Sequence, residues 1–349
     1  MTTDDAFEVM TVPPPALSAD DAAGILDERY NLSGAREPLP SERDQNFLVT
    51  TPDGEHYVLR IANSAEDRAV TDFQTGALLH IAENAPELPV PRPIRNHHGN
   101  YVTEYVAADG REHVVRVLTW LEGIPKEHAE PSPDYAATLG TFLAQLGHAL
   151  REYRHPASGY ALLWDLKNVK TLRRLLERVN DGSLRALCTR RLDVFETRVL
   201  PEFEGLRWQV IHNDLNPDNV LVDPEETASV TGVIDFGDLV CSPLVVDVAV
   251  AAAYLLRDDE DALKDVRAFV AGYCGIEPLE PAEVDVLFDL VLLRLTMTIL
   301  ITHWRATRYP ENRDYILRSE AKAQKMLRKL SAASNAEVTA QLRRACGLD

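Results

Sequence analysis

Cysteine is scarce in this chain: four among 349 residues (Cys188, Cys241, Cys274 and Cys346), widely spaced and without a C-x-x-C pair. That pattern indicates neither a zinc site nor a disulfide framework, and it fits a reducing cytoplasm. Basic charge is short as well, with 36 lysines and arginines against 55 aspartates and glutamates, a formal charge of −19. So negative a surface repels phosphate backbones and anionic membranes; it argues against nucleic acid as a partner and favours a cationic or zwitterionic small molecule. The longest apolar run, Val284 to Trp304, is broken by Asp285, Asp289 and Arg294 and reads as a buried core helix, not a membrane span. The first ten residues, MTTDDAFEVM, have neither a basic start nor an apolar centre, so no signal peptide is expected. No internal repeat or low-complexity segment is present.

What is there is the composition of a folded protein, 45% apolar and 26% charged, in a chain longer than one core usually serves. Ser18 with Asp20 and Asp21 predicts a capped helix to Tyr30. Phe47, Val49, Tyr57, Leu59 and Ile61 alternate about Pro52-Asp53-Gly54, a hairpin. Val70, Phe73, Ala77, Leu78 and Ile81 recur at helical spacing, and strands follow at Tyr101–Val106 and His113–Leu121. After Glu122-Gly123-Ile124-Pro125 the pattern turns helical, near 132–152, 166–179, 183–204, 244–256, 259–273, 281–306 and 312–332. The exceptions are strands at Gln209–Ile211, Val220–Val222 and Val230–Ile234. The expected class is α+β, a protein kinase-like two-lobe plan. It has a small β-rich lobe with one packed helix (1–117), a hinge (118–124) and a larger helical lobe (125–349).

The chemistry concentrates between Ile211 and Asp238. Asp214 and Asn219 stand five apart in His-Asn-Asp-Leu-Asn-Pro-Asp-Asn, and Asp235 opens Asp-Phe-Gly-Asp. This order, with strands on either side of the loop and a strand pair between the motifs, is the one kinases use for phosphoryl transfer. Asp214 takes the hydroxyl proton and orients the attacking oxygen, while Asn219 and Asp235 offer oxygens to magnesium. Asx-rich segments alone read as turns; the ordered set does not. His212 reads as support for the loop. Asp247, in the apolar Val-Val-Asp-Val-Ala, needs partners, with backbone amides of the catalytic loop or its own helix N-terminus the candidates.

Five segments resemble the hydroxylysine kinase branch of the aminoglycoside phosphotransferase superfamily. They are Ser41–Phe47, Trp164–Asn168, His212–Asn219, Asp235–Asp238 and Tyr309–Tyr315, and the resemblance runs from about residue 20 to 330. It implies transfer from ATP or GTP, GTP being the branch's donor, to the side-chain hydroxyl of 5-hydroxylysine. It also implies purine contacts from the backbone of Thr119 and Leu121, and a phosphate-covering turn with Ser41 and Gln45 in place of a G-x-G-x-x-G loop. Three positions depart from the superfamily pattern: Arg60 stands for its lysine, Asp72 for the helix glutamate that pairs with it, and Asn213 for the glycine of His-Gly-Asp. The expectation is a compensated Arg60–Asp72 ion pair.

For the acceptor, Asp238, Trp164, Asp165, Lys167 and Asn168, with Tyr254, His303, Trp304 and Arg308, are the candidates. The acceptor is expected to be a small amino alcohol or hydroxy amino acid. Alternatives are an aminoglycoside, homoserine or choline-type acceptor, a nucleotide-binding pseudokinase, and, more remotely, a metallohydrolase built on His212, Asp214, Asp235 and His303. Oligomeric state is not legible.

Overall fold

The structure, a computed structural model, describes residues 11–41, 43–310 and 313–348. The stretch MTTDDAFEVM, with its expected lack of a leader pattern, lies outside the described residues, as do Glu42, Glu311 and Asn312 of the motifs quoted above. The chain divides into two compact units. One takes the residues up to Gly123 together with Tyr153–Ala161 and Thr231–Gly237; the other takes Ile124–Glu152, Leu162–Val230 and Asp238 onward.

In the first unit, helix α1 (Ala19–Ile25) starts at a capping box. Ser18 accepts from the Asp21 amide, and the Asp21 carboxylate accepts from the Ser18 N–H at 2.9 Å. It runs on as a wider turn to Tyr30. The strands are β1 (Ala35–Leu39), β2 (Gln45–Thr50) and β3 (His56–Ile61), then, after helix α2 (Arg68–Asn84), β4 (Pro93–Ile94), β5 (Thr103–Val106) and β6 (Glu112–Thr119). They form one sheet ordered β1-β2-β3-β6-β4, with β5 also on β6. Strand β1 is an edge that the alternation pattern does not reveal, because Arg36, Glu37 and Pro38 are the kinds of residue that blunt an edge.

Strand alternation gives this sheet two different faces. Phe47, Val49, Leu59, Ile61, Val115 and Val117 pack beneath Ala22, Ile25, Leu26 and Tyr30 of the α1 segment. The opposite face presents Arg116 to Gln74 and Thr75 of α2. The sheet thus carries a helix on each face, where the sequence predicts one. Tyr153–Ala161 belongs here because Tyr153 stacks on Phe73 and donates to its carbonyl at 2.8 Å.

The second unit is built mainly from helices: α3 (Tyr135–Leu150), α4 (Gly182–Val194), α5 (Leu244–Tyr254), α6 (Lys264–Cys274), α7 (Pro281–Arg308), α8 (Arg313–Ile316), α9 (Glu320–Leu330) and α10 (Asn335–Ala345). The predicted helix 183–204 is α4 followed by a wide turn and then a tighter one containing Pro201, which lacks the amide that a continuing α-helix needs. The predicted 312–332 helix is divided into α8 and α9, and α10 has no counterpart in the sequence reading. Helix α7 is the apolar run of the sequence analysis, buried on almost every side. No helix among the described residues is long and apolar enough to cross a membrane. Short strands complete the unit: β8 (Trp208–Ile211) pairs antiparallel with β11 (Val240–Pro243), and β9 (Val220–Val222) pairs with β7 (Ile124–Pro125), while β10 (Val230–Val233) precedes β11 in the chain. The strands flanking the Asp214 loop therefore pair outward, not with each other. Cys274 and Cys346, 72 positions apart, bring their sulfurs to 2.8 Å as free thiols.

Helices α3 and α6 touch backbone to backbone. A Cβ on Gly140 would lie 2.0 Å from the Phe269 carbonyl oxygen, and one on Gly272 would lie 2.2 Å from that of Ala137. No rotamer relieves a clash with backbone. Gly140→Ala and Gly272→Ala are each expected to lower unfolding free energy by about 3 kcal/mol, measured by urea denaturation.

Candidate active site

The first unit holds its site residues through two buried arginines. Arg60 on β3 and Arg116 on β6 are direct partners across the strand pair, 9% and 3% exposed. Like charges in that register repel and need anions. The Arg60 Nε donates to Asp44 Oδ2 at 2.6 Å, and its Nη1 donates to Asp235 Oδ1 at 3.0 Å. Burial works against the Arg60 charge, but Asp44 and then Asp235 hold its pKa above the ordinary value. Arg116 has less support: burial, then the Arg60 charge, lower its pKa to about 10. Burial, with Asp44 adding to it, pushes the nearby Glu66 carboxyl up.

Asp235 itself sits at φ 57°, and its Oδ1 also accepts from the Gly237 amide at 3.2 Å. Room at Gly237 is short: a Cβ there would stand 2.8 Å from Arg60 Nη2 and 2.9 Å from Asp235 Oδ1, so these side-chain ends would have to shift. Its carbonyl accepts from Gln74 Nε2 at 3.0 Å and from the Tyr160 hydroxyl at 3.3 Å. Gln74 accepts in turn from Arg116 at 2.5 Å. The Asp-Phe-Gly turn is thereby fixed to both buried arginines.

The expected Arg60–Asp72 pair is not formed. Asp72 lies on the outward face of α2, 46% exposed, with Arg68 one turn back at 3.8 Å. The residues on the inward face are Thr71, Gln74 and Thr75. The acid that Arg60 uses is Asp44, 4% exposed, whose other oxygen accepts from the Asn63 amide at 3.1 Å. Ser41 and Gln45 are engaged locally. The Ser41 hydroxyl accepts from the Asp44 amide at 3.1 Å. Gln45 is on β2 and brackets Leu17, donating to its carbonyl and accepting from its amide. At the end of β6, Thr119 donates its N–H to the Arg92 carbonyl at 2.9 Å, so that donor is spent. Leu121 follows it half-buried.

In the second unit, the loop after β8 is set by Asp247 in the first turn of α5. Its two oxygens accept from the His212 amide at 3.0 Å and the Asn213 amide at 2.7 Å, the partners named from sequence. Burial raises the Asp247 pKa, opposed by these two amide hydrogen bonds. His212, fully buried, accepts through Nδ1 from the Asp214 amide at 3.3 Å. Asn213 has φ 65°, the conformation that explains glycine at this place in related motifs.

The Asp214 carboxylate is held at both oxygens. Oδ2 accepts from Asn216 at 2.9 Å and from Asn219 at 3.0 Å, while Oδ1 accepts from Arg294 Nη2 at 3.0 Å. Asn219 Nδ2 also donates to the Asp214 carbonyl at 2.9 Å. With its NH₂ committed to Asp214, Asn219 presents its carbonyl oxygen elsewhere, the type of ligand a hard cation takes. Asp235, 46% exposed, supplies carboxylate oxygen. An amide oxygen and a carboxylate oxygen are the donor types that a hard cation such as magnesium takes. A metallohydrolase is not supported: among the described residues no group of three or more His, Cys, Asp or Glu side chains is placed to hold a metal ion, and His303 pairs with Glu320.

Of the acceptor candidates, Trp164 and Tyr254 lie against Arg294, whose guanidinium sits 4.9 Å and 5.8 Å from their ring centres. Asp238 is 7% exposed and adds to the field that holds the Arg294 charge. Lys167 is otherwise employed: it pairs with the fully buried Asp165 and donates to the Cys241 carbonyl at 2.9 Å, fastening this segment to β11. Asn168 follows in the same turn, its amide on the Asp165 carbonyl at 2.9 Å. Trp304 lies about 15 Å along α7 from Arg294, ten residues at helical rise. Arg308, farther still, is exposed over the Tyr309 ring.

Asp44, Gln74, Arg116 and Tyr160 escape the sequence reading, as does the role of Arg294. For the arginines a signal exists: a charge inside an apolar strand or helix must be partnered. Asp44→Asn is expected to cost about 3 kcal/mol of stability because it leaves Arg60 short of an anion. Asp72→Ala is expected to change stability by no more than about 0.5 kcal/mol. Chemical denaturation of the two variants checks both.

Comparison with known proteins agrees with this geometry. Residues 35–285 match the family described as "Phosphotransferase enzyme family". The hydroxylysine kinase of Xenopus laevis is 27% identical over 326 residues, covering 87% of each chain. Among solved structures, a microcompartment-associated aminopropanol kinase superposes with a TM-score of 0.73 at 22% identity, over 91% of this chain and 98% of that one. An amicoumacin kinase in complex with AMP-PNP, Ca²⁺ and Ami superposes with a TM-score of 0.70 at 14% identity, over 92% of this chain and 97% of that one. The chain belongs to the phosphotransferase enzyme family and has its protein kinase-like fold.

Proposed function

We propose that this phosphotransferase is a small-molecule kinase. It moves the γ-phosphoryl group of ATP or GTP to a hydroxyl of an amino alcohol or hydroxy amino acid, with 5-hydroxylysine the first choice. The observation that carries the reading is the carboxylate of Asp214, held by Asn216, Asn219 and Arg294 at the position in the motif where a kinase keeps its base. Similarity to hydroxylysine kinase along 87% of both chains supports the acceptor.

In this mechanism Asp214 accepts the proton of the acceptor hydroxyl as its oxygen bonds to the γ-phosphorus. The bond from that phosphorus to the β–γ bridging oxygen breaks, and a nucleoside diphosphate leaves. Asn219 and Asp235 would hold magnesium, which offsets phosphate charge when bound with the nucleotide. Arg60 aligns Asp235 by its bond to Oδ1. With the Thr119 amide committed to Arg92, a purine contact from this stretch falls to Leu121 and to carbonyl oxygens.

Turnover with ATP and with GTP across hydroxylysine, homoserine, choline, amino alcohols and aminoglycosides tests the reading. Hydroxylysine is expected to be among the best acceptors, and Asp214→Asn to lower kcat by about 10²–10⁴-fold. Equal rates for wild type and Asp214→Asn on every acceptor would overturn it. A strong preference for an aminoglycoside, homoserine or choline would keep the reaction and replace the acceptor.

A further inference from the structure

We propose that Arg294 is a positioning residue for phosphoryl transfer: it fixes the plane of the Asp214 carboxylate from the body of helix α7. The inference rests on the kinase reading above and adds to it a residue outside the sequence motifs.

Arg294 is 2% exposed, within Leu290-Val291-Leu292-Leu293-Arg294-Leu295, and its Nε has no hydrogen-bond partner among the described residues. A guanidinium placed there for stability alone is poorly explained. Its desolvation is costly, and an apolar side chain of similar volume commonly serves a buried site as well or better. Its remaining contacts are aimed: Asp214 Oδ1 at 3.0 Å, the Tyr254 hydroxyl at 3.2 Å, and the Trp164 carbonyl at 3.4 Å with the Trp164 ring alongside.

A carboxylate pinned at one oxygen can still turn about its Cβ–Cγ bond. Asn216 and Asn219 bind Oδ2 of Asp214, and both come from its own loop. Arg294 holds Oδ1 from a different element, and that second anchor fixes the torsion. Because Tyr254 and Trp164 share the same guanidinium, the base and the aromatic groups beside it are set by one side chain. The pairing also keeps Asp214 charge-compensated before an acceptor arrives. Removing Arg294 frees the orientation of the base without removing the base, so the loss falls on the chemical step more than on binding.

The experiment compares wild type, Arg294→Lys, Arg294→Met and Arg294→Ala in steady-state kinetics on the best acceptor, with the folded fraction of each measured by thermal melting. Arg294→Met is expected to fold, to lose about 100-fold in kcat, and to keep KM for nucleotide and acceptor within about threefold. Arg294→Lys should recover part of that loss, and millimolar guanidinium should raise kcat of Arg294→Ala but not of wild type. An active wild type with a folded Arg294→Met of unchanged kcat, or with a loss carried by KM, overturns the inference alone. Should Arg294→Met not fold, absence of guanidinium rescue in Arg294→Ala overturns it. A wild type inactive with every donor and acceptor overturns the kinase reading and this inference with it.

Discussion

The first unit depends on a repulsion. Arg60 and Arg116 face each other across adjacent antiparallel strands, both out of water. Two unit charges roughly 6 Å apart repel by about 3 kcal/mol at an effective dielectric of about 20, and each guanidinium also loses hydration. The sheet tolerates this only because acids converge on it: Asp44 from the turn before β2, Glu66 from the segment before α2, and Asp235 from the Asp-Phe-Gly turn. The arrangement ties the motif to the fold. Asp235 is one of the anions the arginines require, and Gly237 is joined to Arg116 through Gln74, so the orientation of the turn and the stability of the sheet share the same hydrogen bonds.

The second unit solves a related problem with opposite sign. Asp247 is a buried acid whose main compensation is two backbone amides, and it thereby shapes the loop that carries Asp214. Asp214 then receives donors on both oxygens. In each unit a residue that bears on the chemistry is held by groups whose own burial leaves them few other partners, which is how a site becomes preorganised without a ligand.

How far the sequence reveals all this follows from the range of each interaction. The Asp214, Asn219 and Asp235 set is legible because its spacing is local, and Asp247 because a lone acid in an apolar helix start has few possible partners. The β2–β3 hairpin, α2 and α7 are legible from periodicity. Asp44 is not, because choosing between it and Asp72 requires the rotational phase of α2 against the sheet, and resemblance to a helix glutamate points to the wrong face. Lys167 misleads for a similar reason. A lysine in a motif suggests a ligand contact, while the fully buried Asp165 two residues earlier claims it. Arg294 is visible as a charge interrupting an apolar run, but its partner lies 80 positions away and no local pattern names it.

The departures from the superfamily pattern bear on whether the motif is live, and backbone geometry separates them. Asn213 occupies φ 65°, a region that excludes most side chains but that asparagine enters more readily than other non-glycine residues. Its side chain also finds the Trp164 carbonyl at 3.5 Å. Glycine at that place answers a conformational demand that asparagine can also meet, so its replacement is no mark of a lost site. Gly237 is under a different demand, the space already taken by the side-chain ends of Arg60 and Asp235. Arg60 likewise keeps a cation where the superfamily has one and finds its acid in Asp44. The features that first suggest a pseudokinase, Arg60 and Asn213, are therefore residues that the structure accommodates.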